Sequence, residues 1–368
     1  MTPVKIGIIG CGNISGIYFT NGTKKFNKIV EVAACADLDL SRAQAKAEEF
    51  GIAKALTPEQ LLADPEIEIV VNLTIPNAHY SVCKAALDAG KHVYVEKPLA
   101  ISREEGKELV EPAQSKNLRL GAAPDTFLGG GIQTCRKLID DGWIGEPIAA
   151  TAFMMGRGHE SWHPAPEFYY KAGGGPMFDM GPYYLTALTA LMGPIQRITG
   201  SARATFPERT ITSQPLHGTK ITVDVPTHIA GIMDFSNGAV GTIITSFDVY
   251  GFPFPNIVIF GTEGTLHVPD PNSFGGPVRF KGRRGGDYTD IPLTHGYSDN
   301  SRCVGAADIA AAIQTGRKHR ANGELGFHVL EAMHAFHDAS DAGFHYTMKS
   351  TVERPAALPL GLADGDLD

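Results

Sequence analysis

Val4-Lys5-Ile6-Gly7-Ile8-Ile9-Gly10-Cys11-Gly12-Asn13-Ile14-Ser15-Gly16 is the stretch on which the fold turns. Residues 4–9 form a nearly continuous apolar run, as a strand buried on both faces does. Two glycines follow at once. Gly10 permits a tight turn, Gly12 lets the backbone approach an anion, and the helix after the loop aims its N-terminal amides at that anion. The third glycine position of the G-x-G-x-x-G pattern holds Ser15, small enough for close helix packing. The pattern alone is a weak signal, and the order strand, loop, helix strengthens it. Such a loop cradles the pyrophosphate of a dinucleotide, with Gly10, Gly12, Asn13 and Ile14 as its contacts.

Outward from this loop, strand and helix patterns alternate. The apolar run 29–36 ends in Asp37, and 38–50 has helical composition closed by Gly51. Next come an apolar run at 67–73, a helical stretch at 77–89 capped by Gly90, a strand at 92–95, a helix at 103–116 and a short run at 118–122. This alternation predicts βαβ units and a doubly wound, mostly parallel α/β domain over residues 1–124. Asp37 stands where the dinucleotide pattern places a ribose-binding carboxylate. A carboxylate accepts from a 2′-hydroxyl and repels a 2′-phosphate, and no arginine follows in Asp37-Leu38-Asp39, so the expected cofactor is NAD, in preference to NADP. The competing role for Asp37 is to cap the helix starting near Leu38. Lys97, in Glu96-Lys97-Pro98, follows the strand at 92–95. A lysine at the carboxyl end of a parallel strand faces the ligand crevice; its bland alternative is a surface charge.

The chain has 368 residues, enough for two domains, with 43% hydrophobic and 20% charged residues, a globular composition. No run approaches the ~18 apolar residues of a membrane helix. The net charge of −8 comes without long basic runs, which argues against nucleic acid. Met1-Thr2-Pro3 leads straight into the first strand, leaving no room for a signal peptide. The five cysteines are scattered without metal spacing and read as reduced thiols of a cytoplasmic protein.

After Ala123-Pro124 the texture changes. Residues 126–141 read as one helix. Runs 195–206, 228–235, 239–248, 256–261 and 265–268 are β-rich and separated by turn residues, predicting an open, mainly antiparallel sheet within an α+β domain over 125–368. Such a face suits pairing with another copy. Helices follow at 304–315 and 325–342, and 269–299 reads as a long surface excursion. Gly173-Gly174-Gly175 leads to Asp179 and Tyr183, four residues apart and on one face if helical; 183–192 reads as a buried helix. A carboxylate and a phenol aimed together into a cleft can bind and deprotonate a hydroxyl. Against this stands an aspartate cap beside a packed tyrosine.

Together the glycine loop, Pro76-Asn77-x-His79, Glu96-Lys97-Pro98 and Gly173-Gly174-Gly175 leading to Asp-x-Gly-x-Tyr resemble the Gfo/Idh/MocA family of NAD(P)-dependent oxidoreductases, over residues from about 4 to 345. The resemblance implies a Rossmann domain with NAD contacts from Thr74, Asn77, His79, Glu96 and Lys97, and a catalytic set of Lys97, Asp179 and Tyr183. Many members have His where this chain has Tyr183. A tyrosine of ordinary pKa ~10 is a poor base at neutral pH, and the Lys97 ammonium is expected to lower it.

His159-Glu160-Ser161-Trp162-His163 spells H-E-x-x-H, yet Gly156, Gly158, Pro164 and Pro166 around it disallow the sustained helix a zinc site needs, so no metal is expected. The loop reads instead as a pocket lining, with Trp162 on a pyranose face and His163 on a hydroxyl; Asp125, at the seam between domains, is a further pocket candidate for which helix capping is an equally good role. The resemblance implies hydride transfer from a secondary hydroxyl of a sugar, glycoside or cyclitol to NAD, in a homodimer or homotetramer. It also admits two other functions: a redox-neutral glycosidase that oxidises C3 transiently, and a non-catalytic NAD-binding regulator.

Overall fold

The computed structural model describes residues 2–368. Six parallel strands, Val4–Ile9 (β1), Val30–Ala36 (β2), Lys54–Leu56 (β3), Ile69–Asn72 (β4), His92–Val95 (β5) and Leu120–Ala122 (β6), lie in the order β3-β2-β1-β4-β5-β6. The order reverses between β1 and β4, which opens a crevice at their carboxyl ends. Alternate side chains divide between two cores. Ile6, Ile8, Cys35 and Val71 face one side, and Ile9, Ala34, Val70, Val93 and Val95 the other. Each fully buried Val or Ile contributes about 1.5–3 kcal/mol.

The connecting helices are Ser15–Thr20 (α1), Leu40–Phe50 (α2), Pro58–Ala63 (α3), Pro76–Asp88 (α4) and Arg103–Ser115 (α5). Their starts follow from local chemistry: Thr57 with Gln60 and Ser102 with Glu105 form capping boxes on α3 and α5. Gly51, at φ 67°, ends α2.

The second region comprises Gly130–Asp140 (α6), Pro147–Met155 (β7), Gly175–Met192 (α7), Ile195–Arg203 (β8), Glu208–Thr210 (β9), Lys220–Thr222 (β10), His228–Phe235 (β11), Val240–Ser246 (β12), Ile257–Gly261 (β13), Gly264–Val268 (β14), Val278–Gly282 (β15), Thr289–Ile291 (β16), Val304–Thr315 (α8), Gly323–Ala342 (α9) and Tyr346–Thr347 (β17). Nine strands form one sheet, ordered β16-β15-β14-β13-β7-β12-β11-β8-β17. Every pairing is antiparallel except β7 with β12. α7 and α9 cover one face: Phe336 of α9 lies so close over Gly231 that a Cβ there would come within 2.4 Å of its ring. Ile232 and Val240 are exposed on the other face.

The sequence reading left out β7 and several short elements, and three of the elements it expected take another form. The helix expected over 126–141 is a 3-10 turn, Thr126–Leu128, followed by α6 from Gly130. The break falls at Gly129, whose ψ of 152° is extended and whose missing Cβ would lie 2.5 Å from the Phe274 backbone. The segment 269–299 supplies β15 and β16 and buries Phe274, Val278 and Tyr297, so it is part of the sheet and core and more than a surface excursion. α7 begins at Gly175, well before Pro182, which it contains. α8, from the far end of the chain, packs on β4, β5 and β6 of the first sheet.

Candidate active site

The glycine loop has the shape that a dinucleotide requires. Gly10 takes φ +104°, and a Cβ on it would lie 2.7 Å from the Leu73 carbonyl, so only glycine fits. A Cβ on Gly12 would meet nothing within 4 Å. That open side, with exposed Asn13 and Ile14 beside it, leaves room for a pyrophosphate. Asp37 follows β2, and its carboxylate accepts from the Cys11 N–H at 2.8 Å and the Asp39 N–H at 3.0 Å. Capping of α2 falls to Asp39, which accepts from the Ser41 N–H at 3.1 Å. Asp37 is thereby tied to the glycine loop and is not the helix cap.

At the end of β5, Glu96 accepts from the Tyr18 hydroxyl at 2.8 Å and from the Lys97 N–H at 2.9 Å. Lys97 Nζ donates to the carbonyl of Asp179 at 2.8 Å and to its Oδ1 at 3.0 Å. The helical spacing of α7 puts Tyr183 one turn further on, with the ammonium 5.3 Å from its ring centroid. Pro182 removes the N–H that the Phe178 carbonyl would take within the helix, and the next carbonyl, that of Asp179, is the one Lys97 binds. Burial disfavours the Lys97 charge, but Asp179, Tyr183 and Glu96 outweigh it and its pKa is raised. Burial likewise opposes ionisation of Asp179, yet Lys97 and His159 bring it down to about 2. Tyr183 behaves differently. Burial raises its pKa above 10.0, and the charges of Lys97 and Arg302, though they pull it down, do not cancel that. The expected lowering of the phenol is corrected here, because desolvation of a buried phenolate outweighs its cations.

A cavity of about 300 Å³ lies over these groups, lined among others by Ile14, Thr74, Glu96, Lys97, Asp179 and Tyr183. Asn77 is exposed, at the start of α4. His79 is 1% exposed and does not reach the cavity; its ring bridges the carbonyls of Pro98 (2.6 Å) and Thr74 (3.0 Å), tying together two walls of the cleft. Its expected cofactor contact is therefore corrected to a brace. Asp125 is also corrected: it is 1% exposed, and its Oδ2 accepts from the N–H groups of Cys303 and Gly305 at the start of α8. Burial raises its pKa to about 6.

The H-E-x-x-H segment sends its members to different partners. His159 Nε2 lies 3.0 Å from Asp179 Oδ2, Glu160 pairs with Arg209 at 2.7 Å, and His163 Nδ1 accepts from the Ala165 N–H at 3.1 Å. Trp162 is 60% exposed and is outside the cavity lining, so stacking on a sugar held there is corrected too. No cluster of ligating side chains with metal geometry occurs among the described residues. All five cysteines are free and buried. Sequence reasoning missed His159 as Asp179's partner, Arg302 as a second cation beside Tyr183, and Phe168 and Tyr169 in the cavity wall. The segment holding His159 was legible, but its direction was not.

Two family models account for most of this architecture. The Gfo/Idh/MocA oxidoreductase family model, an NAD-binding Rossmann fold, matches residues 4–123, and the Gfo/Idh/MocA C-terminal domain matches 132–267. The chain belongs to the Gfo/Idh/MocA family. NAD is the cofactor of this Gfo/Idh/MocA protein. An uncharacterised oxidoreductase of Schizosaccharomyces pombe is 30% identical over 210 residues, 55% of this chain and 56% of the relative. The chain thus spans about half the length of that relative. A D-glucoside 3-dehydrogenase of Escherichia coli is 28% identical over 250 residues, 67% of this chain and 71% of the relative. The fold is shared with an NAD-binding oxidoreductase from Klebsiella pneumoniae, at a TM-score of 0.82 and 22% identity, covering 94% of this chain and 99% of that one. No helix among the described residues is long and apolar enough to cross a membrane.

Proposed function

We propose that this Gfo/Idh/MocA protein is a dehydrogenase that oxidises a secondary hydroxyl of a sugar, glycoside or cyclitol with NAD. The observation that carries the reading is the partly buried Lys97–Asp179 pair beneath a cavity of about 300 Å³ at the carboxyl end of β5, across from the glycine loop. The sugar-oxidising relative supports the substrate class. Bound NAD supplies the hydride acceptor. Gly10, Gly12, Asn13 and Ile14 hold its pyrophosphate side and Asp37 its ribose, with NAD preferred over NADP because Asp37 repels a 2′-phosphate. Lys97, fixed by two bonds to Asp179, has a third proton for the substrate oxygen. Asp179, ionised, keeps Lys97 charged and accepts from a neighbouring hydroxyl. Tyr183 takes the hydroxyl proton. Because its pKa is raised, it does so efficiently only as the pH climbs.

The test is a spectrophotometric screen for NADH over sugars, glycosides and cyclitols. Stoichiometric NADH is the expected outcome. Release of free sugar from a glycoside without NADH, with deuterium exchange at C2, would show the redox-neutral glycosidase instead.

A further inference from the structure

The cleft has a rim that this chemistry does not use. The 3-10 turn Pro166–Tyr170 places Phe168 and Tyr169 in the cavity wall. Their rings lie 4.0 Å apart, and Phe168 is 50% exposed. His163 stands 5.4 Å from Phe168 and 5.4 Å from Trp162, which is 60% exposed. Four rings thus run without interruption from the cavity to the open surface. Trp162 and Phe168 are the exposed members, and exposed aromatic rings continuous with a pocket wall offer ring faces to a ligand.

The cavity, about 300 Å³, is at the small end of the range of ligand pockets, about 300–1,000 Å³. A cavity of this size takes a single sugar ring and leaves no room for a further substituent. Its other wall, Ile14, Thr74 and Pro76, belongs to the glycine-loop side where the dinucleotide lies. A substituent on the bound sugar therefore leaves along the aromatic row. The polar atoms of the row are at its ring edges, the Trp162 indole N–H, His163 Nε2 and the Tyr169 hydroxyl. His163 Nδ1 is engaged by the Ala165 N–H, burial lowers its pKa, and the carboxylate of Glu167 is turned to Lys171 at 3.9 Å. A second sugar would ask for hydrogen bonds to its hydroxyls, whereas a flat apolar ring needs only ring faces and edges.

We propose that Trp162, His163 and Phe168 form a subsite for an aromatic aglycone, so that aryl glycosides are oxidised in preference to alkyl glycosides and free sugars. The proposal rests on the dehydrogenase reading and narrows its substrate class.

The test compares kcat/KM with NAD for phenyl and methyl glycosides of glucose, galactose and mannose, the free sugars, and cellobiose. The phenyl glycoside should exceed its methyl counterpart by about three- to tenfold per engaged ring, and Trp162→Ala should bring the phenyl-to-methyl ratio toward one. A second measurement is independent of turnover. The chain has two tryptophans, so Trp143→Phe leaves Trp162 as the sole tryptophan, and phenyl glycoside should shift its selectively excited fluorescence at concentrations where methyl glycoside does not. Equal kcat/KM for phenyl and methyl forms, or a preference for cellobiose over the phenyl glycoside, overturns the aryl subsite. Absence of NADH from the whole panel overturns the dehydrogenase reading for these sugars, and the fluorescence then decides the subsite alone: a shift upholds it and no shift overturns it.

Discussion

His159 and Glu160 are neighbours in the chain and belong to two charged clusters with opposite fates, the first partly buried and the second more deeply so. His159 turns to Asp179, whose other oxygen takes Lys97. Glu160 turns to Arg209, which also pairs with Asp248. Both clusters gather residues from distant parts of the sequence. The difference lies in what the unused positions face: the Nε–H of Arg209 has no partner and is sealed in the protein. The two terminal nitrogens of Arg209 give four bonds, to the carbonyls of Arg157 and Phe247 and to the carboxylates of Glu160 and Asp248. Lys97 gives two bonds to one residue and borders a cavity. Burial and charge alone therefore do not mark a site; a spare bonding position that opens onto a cleft does.

Four substitutions break or sharpen this contrast. Lys97→Met should lower kcat/KM by about a thousandfold, with a much smaller loss of NAD affinity read by fluorescence titration. Arg209→Met should act on the other quantity, lowering stability by about 3 kcal/mol in urea denaturation because Glu160 and Asp248 lose their buried partner. A comparable loss of turnover in the fully folded Arg209 variant would erase the distinction between the clusters. Tyr183→Phe should reduce kcat by about a hundredfold. The sign of its pH effect follows from the raised pKa: the phenolate fraction grows as pH rises toward and beyond 10.0, so wild-type oxidation should climb through the alkaline range. In the Phe variant that rise should disappear, and an unchanged profile would remove Tyr183 from the proton step. The smallest effect belongs to Asp37→Ala, which should weaken NAD binding about tenfold while NADP binding improves or holds. An unaltered NAD-to-NADP ratio would leave Asp37 only its bonds to Cys11 and Asp39.

Most of the fold was legible because its signals are local. The buried run of β1, the glycine loop and the alternating strands and helices to Ala122 depend on side chains within one element of each other. β7 was not seen, although it pairs with both β12 and β13. Its Ala-rich run at 149–152 has no period that separates strand from helix. The pairing of Lys97 with Asp179 was anticipated as a shared site, without its geometry. For Asp125 the sequence left pocket lining and helix capping open, because its partners at Cys303 and Gly305 lie at the other end of the chain.

By itself, then, the sequence determined the parallel sheet, the dinucleotide loop, the acid after β2 and the lysine after β5, since backbone turns and strand ends place these residues wherever the rest of the chain goes. Tertiary structure alone decided which of two adjacent residues, His159 or Glu160, would meet the lysine's aspartate. It also decided that Trp162 would stand on the rim and that Tyr183 would keep its proton at neutral pH. Each of these depends on which surfaces lose water when distant segments meet, and desolvation, unlike helical period, leaves no mark on neighbouring positions in the chain.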